Sequence, residues 1–238
     1  MIDLNDYFER VQVINLDRFP ERISRLGYHL MDREIKGVER FKAVDAKACK
    51  SPSWFKAGSP AWCCLMSHLR IVQDAAMDGL ANYFVLEDDV VFSEDFSERL
   101  PKIMAEVGDD WDMIYFGGQH LCENGNPRRV DGKSEVIQPF NVNRTHAFAV
   151  NSRFYAQFGR HIMSAPSYIK REKGWHIDHQ LGVLHEGAMN GVSPFKNLKI
   201  YAVHPWVAAQ SGGRSGISAN RFPEKWFHID KDKIKEPK

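Results

Sequence analysis

The stretch that decides the fold reads YFVLEDDVVF, from Tyr83 to Phe92, and it places three consecutive carboxylates inside an apolar run. Apolar residues bounded by polar ones predict a strand buried on both faces, typical of parallel or mixed sheets covered by helices. The acids fall at the carboxyl end, where ligands bind in open α/β sheets, with Glu87 and Asp89 on one side and Asp88 on the other. Because neighbouring carboxylates repel each other, the pattern predicts a site for a hard divalent cation; the alternative is a solvated acidic turn.

Composition and charge limit the functional classes. The chain has 238 residues, 43% of them hydrophobic, which is enough for the core of one large α/β domain or two small ones. Lysine plus arginine total 32 against 31 for aspartate plus glutamate, so no overall charge indicates a general nucleic-acid or membrane binder. The first residues lack a basic segment followed by an apolar one, and no apolar run approaches the ~18 residues of a membrane span. We therefore expect a cytoplasmic chain without a membrane span.

The four cysteines show no disulfide or metal-binding pattern. Cys63 and Cys64 are adjacent and poorly placed to bridge each other, and no pair with Cys-x-x-Cys spacing occurs among them, Cys49 and Cys122. This pattern predicts free thiols in a reducing compartment.

The order of elements predicts an α/β fold. Arg10–Leu16 is rich in β-branched residues and indicates a first strand, and Pro20 suits the first turn of a helix whose apolar stripe packs on a sheet. Ser59 and Pro60 predict the N-cap and first turn of a second helix that runs to about Met77. With no repeat and no clear linker, we expect a single domain over 1–238.

Cys64 and His68 lie one turn apart in this second helix. His68 shares a face with Leu65, Leu69 and Val72, which predicts a core histidine whose hydrogen bonds are satisfied. Because two ligands alone make a poor metal site, none is predicted at this pair.

A glycine pair follows the next predicted strand, Trp111–Phe116. Gly117 and Gly118 are expected to end this strand, either where backbone approaches a bound ligand or at an ordinary turn. Residues 119–141 are rich in turn formers and predict a long loop or hairpin.

The last convincing elements are a helix and a strand. The helix is predicted over Trp175–Glu186, with Asp178 near its amino end, and the strand over Leu198–Val203, stopped by His204 and the proline after it.

Three motifs, in this order and spacing, resemble glycosyltransferase family 25, related to lipopolysaccharide-synthesis and collagen galactosyltransferases. They are VINLDRFPER at Val13–Arg22, CLMSH at Cys64–His68 and VLEDDV at Val85–Val90. Each is weak alone, since acidic triplets are common, but the three in sequence are fairly specific. The resemblance is good over Val11–Phe116, loose up to Val150 and weak beyond.

This resemblance implies a GT-A type fold that binds a nucleotide sugar, usually a UDP-sugar, with Mn²⁺ or Mg²⁺ held by the acidic triplet. A divalent ion would stabilise the negative charge that accumulates on the diphosphate as the glycosidic bond breaks. Asp89 is the first candidate for direct metal contact, Glu87 would reach the metal or the ribose, and Asp88 is secondary. By analogy His204 would complete the coordination; alternatively it is simply a strand-end histidine before a proline.

The resemblance also assigns a nucleotide-sugar-binding half, about 10–118, an acceptor and catalytic half, about 119–220, and a tail over 221–238.

Further residues of the donor site follow from the resemblance. Asn15, Asp17 and Arg18 fall where the first strand would meet the base and ribose, while Arg22 is expected to be a surface or ion-pairing residue. Arg214, in a glycine-rich segment, is a candidate lid over the diphosphate, although such a loop can also be merely flexible.

Family 25 enzymes are generally thought to invert anomeric configuration, which requires a carboxylate to deprotonate the acceptor hydroxyl. Such a base contributes about 10²–10⁴ in rate. Asp178, between His176 and His179 in the second half, is the candidate, and Asp112 is the alternative. Asp178 could equally be a first-turn acid favoured by the helix dipole.

The sequence thus predicts a metal-dependent inverting glycosyltransferase that moves a hexose, galactose or glucose, from a UDP-sugar to an acceptor hydroxyl. A non-catalytic sugar-nucleotide or glycan-binding module of the same fold is the second hypothesis, because the resemblance weakens after Val150. A metal-dependent phosphohydrolase or nucleotidyltransferase is the third, but it would more naturally show a second acidic motif. The acceptor, whether a glycan, a protein side chain or a modified nucleobase, is left open.

Overall fold

The computed structural model describes residues 1–164, 176–214, 221–222 and 224–237, and for 213, 214, 221 and 222 it describes the backbone alone. The helices are α1 (Pro20–Asp32), α2 (Gly58–Met77), α3 (Phe96–Val107), α4 (Tyr155–Met163) and α5 (Ile177–Met189). The strands are β1 (Ile2–Asp3), β2 (Val11–Asn15), β3 (Ile35–Lys36), β4 (Glu39–Lys42), β5 (Asn82–Glu87), β6 (Val90–Phe92), β7 (Met113–His120), β8 (Arg128–Arg129), β9 (Val136–Gln138), β10 (Val142–Asn151), β11 (Ile200–Val203), β12 (Ala208–Gln210), β13 (Gly213–Arg214) and β14 (Arg221–Phe222).

An eight-stranded mixed sheet forms the centre of the fold. Its order is β4-β2-β5-β10-β7-β11-β9-β8, in which β2 runs parallel to both β4 and β5, and β10 runs antiparallel to β5 and β7. The α/β class with a mixed central sheet flanked by helices is confirmed.

Strand β5 is buried on both faces, as its apolar run predicts. Phe84 and Leu86 belong to a core cluster on one face of the sheet, and Tyr83 and Val85 to the cluster on the other face, all four at most 2% exposed. Truncating Phe84 to alanine would cost about 3–5 kcal/mol, because it would leave a cavity at the sheet centre.

The register between β2 and β5 places the carboxyl ends of both strands side by side. Ile14 lies opposite Glu87, so Asn15 reaches the level of Asp88. This pairing brings the predicted nucleotide segment and the acidic triplet to the same edge.

Two predicted boundaries differ from the structure. Helix α2 already begins at Gly58, and the Ser59 hydroxyl accepts a hydrogen bond from Ser51 N at 3.0 Å, which anchors the preceding loop instead of capping the helix. Strand β7 does not end at Gly117 but continues to His120, because it still pairs with β10 there, with Val142 opposite His120.

The region predicted as a loop or hairpin over 119–141 contains two short strands, of which β9 pairs with β11 and extends the main sheet. Strand β12, absent from the sequence prediction, pairs antiparallel with β6 directly after the acidic triplet. The predicted helix around Asp178 begins at Ile177, and Trp175 lies outside the described residues.

All four cysteines carry free thiols, which agrees with the sequence pattern. Within the described ranges, none of the helices has the length and apolar character needed to cross a membrane.

Candidate active site

A cleft of about 210 Å³ opens at the carboxyl ends of β2 and β5. It brings the acidic triplet from the first half of the chain together with Asp178 from the second half. The other polar residues on its walls are Arg18, Arg22, Cys63, Cys64, Ser67, His68, Arg144, Thr145, His176 and Gln210.

Asp88 and Asp89 share one guanidinium group. Arg22 Nη2 lies 2.7 Å from Asp88 Oδ1 and 3.1 Å from Asp89 Oδ2, which confirms Arg22 as an ion-pairing residue. The expected alternation of the three acids therefore stops at Glu87, where β5 ends and a turn towards β6 begins. Arg22 offsets part of the repulsion between the acids.

Asn15 is buried and supports Asp88. Its Nδ2 donates to Asp88 Oδ2 at 2.7 Å and to Phe19 O at 3.1 Å, and its Oδ1 accepts from Arg40 Nε at 2.9 Å. Since both ends of the amide are used, Asn15 positions the acidic triplet from behind rather than lining the cleft.

The other two residues assigned to the nucleotide differ in their surroundings. Arg18 lines the cleft, pairs with Asp45 and lies 5.0 Å above the Phe19 ring, so it is held where it could meet a ligand. Asp17 is half exposed and pairs with Arg40 at 2.5 Å and Lys42 at 2.7 Å, outside the set of described residues that line the cleft.

Glu87 has a different environment from the other two acids. Its Oε1 accepts a hydrogen bond from Thr145 Oγ1 at 2.6 Å and lies 3.8 Å from His68 Nε2. Burial acts to raise the pKa of Glu87, but the interactions with His68, Thr145 and His146 outweigh it and lower the pKa to about 2. Glu87 is therefore an anion at neutral pH.

Asp89 is the acid with an unused oxygen. Gln210 Nε2 lies 3.5 Å from Oδ2, whereas Oδ1 is buried and has no hydrogen-bond partner among the described residues. Burial and the charges of Glu87 and Asp88 raise the pKa of Asp89 to about 7. An unpaired carboxylate oxygen beside two further acids fits an oxygen-preferring divalent cation, which would also favour the ionised form.

Asp178 lies in the first turn of α5 and is oriented by two backbone groups. Its Oδ1 accepts from His179 N at 2.9 Å and its Oδ2 from Arg144 N at 3.3 Å. Arg144 adopts a φ of 82°, unusual for a residue with a side chain, at an irregularity of β10 between Asn143 and Ala147. Such backbone strain is concentrated at functional sites.

The prediction for His68 is half right. The side chain is 1% exposed and stacks on Phe148 with ring centroids 5.5 Å apart, as a core histidine would. However, in the part of the chain that the structure describes neither ring nitrogen has a hydrogen-bond partner. Its neighbour Cys64 is a protonated thiol whose pKa is raised well above its usual range by burial and by the charges of Glu87 and Asp178.

The structure does not bring His204 to the cleft. It follows β11, its N–H donates to Glu135 O at 2.8 Å, and burial together with the charges of Arg129 and Arg99 lowers its pKa. His204 is not one of the described residues that line the cleft, so its predicted metal contact has no support from the structure.

Gly117 has a packing role. A side chain there would place its Cβ 2.4 Å from both Ala208 O and His146 Nε2, so the glycine lets β12 and the imidazole approach β7. Gly117 is not one of the described residues that line the cleft, so the predicted ligand contact has no support from the structure.

Asp112 is held in place by other residues, and the side chain of Arg214 lies outside the described part of the chain. Both oxygens of Asp112 are engaged, Oδ1 by Arg153 Nε at 2.8 Å and Oδ2 by Lys199 N at 2.7 Å, which favours Asp178 as the base. For Arg214 only backbone pairing with Arg221 is described, and the side chain that would form the lid lies outside the description.

Thr145 and Gln210 are site residues that the sequence did not reveal. Thr145 reaches Glu87 because β10 lies antiparallel beside β5, and Gln210 reaches Asp89 because β12 pairs with β6. Neither residue belongs to a motif, and only the strand register could have identified them.

Comparisons with known proteins show what the chain is similar to. A Bos taurus protein named probable inactive glycosyltransferase 25 family member 3 is 33% identical over 134 residues, which cover 48% of this chain and 22% of that protein. Human procollagen galactosyltransferase 2 is 29% identical over 152 residues, which cover 55% of this chain and 24% of that protein. The chain thus spans less than a quarter of the length of these relatives.

Among solved structures, a glycosyltransferase involved in glycosylation of the major capsid of PBCV-1 superposes with a TM-score of 0.46 and 9% sequence identity, covering 87% of this chain and 95% of that one.

The sequence model described as glycosyltransferase family 25 (LPS biosynthesis protein) matches residues 8–175. This range contains all three motifs and the cleft-lining ends of β2 and β5. The chain belongs to glycosyltransferase family 25.

Proposed function

We propose that this chain is a metal-dependent inverting glycosyltransferase that moves a hexose, galactose or glucose, from a UDP-sugar to an acceptor hydroxyl. The observation that supports this most is the meeting of the acidic triplet and Asp178 in one cleft. An inverting transferase of this kind needs acids that hold the metal at the donor and a further carboxylate that takes the acceptor's proton. Here the acids come from the first half of the chain and the further carboxylate from the second half. Because a relative is named a procollagen galactosyltransferase, galactose is the first sugar to test.

In this proposal Asp89, with Glu87, would hold Mn²⁺ or Mg²⁺. The ion, when bound, stabilises negative charge on the diphosphate leaving group. Arg22 holds Asp88 and Asp89 in place before any ligand arrives, and Asn15 fixes Asp88 from the opposite side. Such preorganisation means that little reorganisation is needed during the reaction.

Asp178 would act as the base. The acceptor hydroxyl passes its proton to the carboxylate of Asp178, its oxygen bonds to the anomeric carbon, and UDP leaves with the bonding electron pair. The backbone N–H groups of His179 and Arg144 hold the carboxylate in orientation for that transfer.

Thermal shifts test the donor site. UDP-galactose and UDP-glucose, each with and without Mn²⁺, are added to the wild-type chain, to Asp89→Asn and to the exposed-surface control Glu94→Gln. Donor at about 100 times its Kd stabilises by roughly 2.7 kcal/mol, which raises the Tm by roughly 5–10 °C for a chain of this size. We expect this shift only with Mn²⁺, in the wild type and in Glu94→Gln but not in Asp89→Asn. Absence of any shift in the wild type would overturn the proposal.

A non-catalytic sugar-nucleotide or glycan-binding module is the second candidate. It is favoured by the names of several relatives, which are called inactive or probable inactive members of the family. Slow release of free UDP from UDP-galactose in the presence of Mn²⁺ separates the two, since a binding module would give the thermal shift without release.

A further inference from the structure

We propose that Cys64, His68 and Glu87 form a second cation site, for a borderline divalent ion of the Zn²⁺ class, distinct from the Mn²⁺ position at Asp89. This site is formed by side chains of the chain itself and does not depend on whether the chain transfers sugar.

The three side chains converge from two elements. Cys64 and His68 lie one turn apart on α2, and Glu87 ends β5, the central buried strand. One ligand atom from each lies within 4.8 Å of the other two, and His68 Nε2 lies 3.8 Å from Glu87 Oε1.

These separations are close to those of a metal site. Bonds of about 2.0–2.3 Å in a tetrahedral zinc site separate ligand atoms by roughly 3.3–3.8 Å. Side-chain rotations that close the triangle by up to ~1 Å would therefore complete a three-ligand site. All three residues line the cleft, so an ion held by them would be accessible from it.

His68 provides an independent observation. It is 1% exposed, yet both ring nitrogens lack a hydrogen-bond partner within the described ranges. A buried polar group left unsatisfied costs about 1–3 kcal/mol. A cation bound at Nε2 would give this nitrogen a bond that Glu87 Oε1, at 3.8 Å, is too distant to make as a hydrogen bond.

The donor types determine which ion fits. Cys64 would release its proton to solvent as the ion binds, and the resulting thiolate with an imidazole favours zinc-like ions, whereas Mn²⁺ and Mg²⁺ prefer oxygen donors of the kind found at Asp89. Positively charged side chains are also distributed unequally, because Arg22 pairs with Asp88 and Asp89, whereas the described contacts of Glu87 are with Thr145 and His68. Since Glu87 would serve both sites, an ion on Cys64 and His68 competes with the donor position for that carboxylate.

Cobalt binding tests the site without relying on activity. Co²⁺ is titrated into the metal-free full chain, and thiolate-to-cobalt charge-transfer absorption in the near ultraviolet reports cysteine coordination. We expect one such band at one equivalent of Co²⁺, displaced by Zn²⁺. The band should be lost in Cys64→Ser, and Co²⁺ affinity should fall at least 10-fold in His68→Gln.

The adjacent cysteine supplies a matched control. Cys63 Sγ donates to Cys49 O at 3.4 Å and is not part of the cluster, so Cys63→Ser should keep the band. Far-ultraviolet circular dichroism and the metal-free Tm verify that each variant is folded. A missing band in the wild type, or a band that persists in folded Cys64→Ser, would overturn the site.

Asp89→Asn separates this inference from the proposed function. It should keep the cobalt band and lose the Mn²⁺-dependent donor shift. If the donor shift is present and the cobalt band absent, only the second site fails; if the band is present and the donor shift absent, only the proposed function fails.

Discussion

The two walls of the cleft are built differently. One wall is formed by α1, β2 and β5, and we call it the donor wall because it carries the proposed donor site. On this wall, buried Asp88 is held by Asn15 and Arg22, each at 2.7 Å. On the wall formed by β10 and α5, Asp178 receives a 3.3 Å hydrogen bond from Arg144, whose own backbone has a positive φ. One wall is fixed by charged side-chain contacts at the centre of the sheet, and the other by two backbone hydrogen bonds to Asp178, at 2.9 and 3.3 Å, beside an irregular strand.

This difference indicates how the chemistry is divided. Metal and diphosphate chemistry is common to many transfers and benefits from rigid groups, which strands and their charged contacts provide. The proposed base lies in the first turn of α5, outside the sheet, where side chains around an acceptor can change without disturbing the strands.

The largest effect is expected at Asp178. Asp178→Asn should lower turnover about 10²–10⁴-fold, because the amide cannot accept the acceptor's proton. The Kd for UDP with Mn²⁺ should change less than about 2-fold, since the donor wall is untouched. Initial rates of UDP release with a competent acceptor and calorimetric titration of UDP measure the two quantities.

Glu186→Gln is the matched control for this experiment. Glu186 lies on the same helix and accepts from Asn141 Nδ2 at 2.7 Å, outside the described residues that line the cleft. If Asp178→Asn turned over at the rate of this control, Asp178 would not be the base.

Removing Arg22 should destabilise the folded chain at the acidic triplet. Arg22→Met leaves Asp88 and Asp89 without their ion pair, and breaking a buried pair from one side costs about 3 kcal/mol or more. Both Arg22 and Asp88 are at most 15% exposed, so solvent screens the lost interaction little. Urea unfolding of the metal-free chain should show this loss, and Mn²⁺ should reduce it by supplying positive charge at Asp89.

Arg25→Met provides the comparison, because Arg25 is on the same helix but makes an exposed contact with Ser211 at 3.1 Å. Its effect should stay within about 0.5 kcal/mol. Equal urea midpoints for the two variants would mean that the donor wall does not depend on the buried pair.

The donor wall was largely predictable from the sequence because its parts are local. The apolar run before Glu87 predicted a buried strand, and parallel pairing with β2 brought Asn15 and Asp88 together, as strand ends in an α/β sheet require. What could not be predicted was which polar groups would use their hydrogen bonds within the protein and so be unable to contact a ligand. Asn15 was expected to contact the nucleotide, but its amide is occupied by Asp88, Phe19 and Arg40.

The rest of the site depends on long-range register. Thr145 and Gln210 reach the acids through strand pairings that no local pattern reveals, and Gly117 is a glycine because β12 passes over it. His68 shows a second limit. Helical periodicity correctly predicted that it is buried but cannot tell whether a buried imidazole finds a partner.

The smallest of these effects is a pH dependence of stability at Asp89. Burial and the neighbouring carboxylates raise the pKa of Asp89 from 3.8 to about 7. Between those values the folded chain keeps a proton that the unfolded chain has lost, so the folded state loses stability as pH rises through this window. Glu87, whose pKa is lowered from 4.5 to about 2, changes stability mainly below this window and in the opposite direction.

Asp89→Asn removes this titration, so the variant should become more stable than the wild type as pH rises. We expect the difference in unfolding free energy to be near zero at about pH 4 and to reach roughly 1–3 kcal/mol above about pH 7 in the metal-free protein. Urea unfolding with a chelator at several pH values measures it, and saturating Mn²⁺ should reverse its sign by stabilising the wild type alone. A difference that stays constant across this range would show that ionised Asp89 does not destabilise the metal-free fold. The donor wall would then not be arranged to need a cation at Asp89, and the contrast with the Asp178 wall would fail.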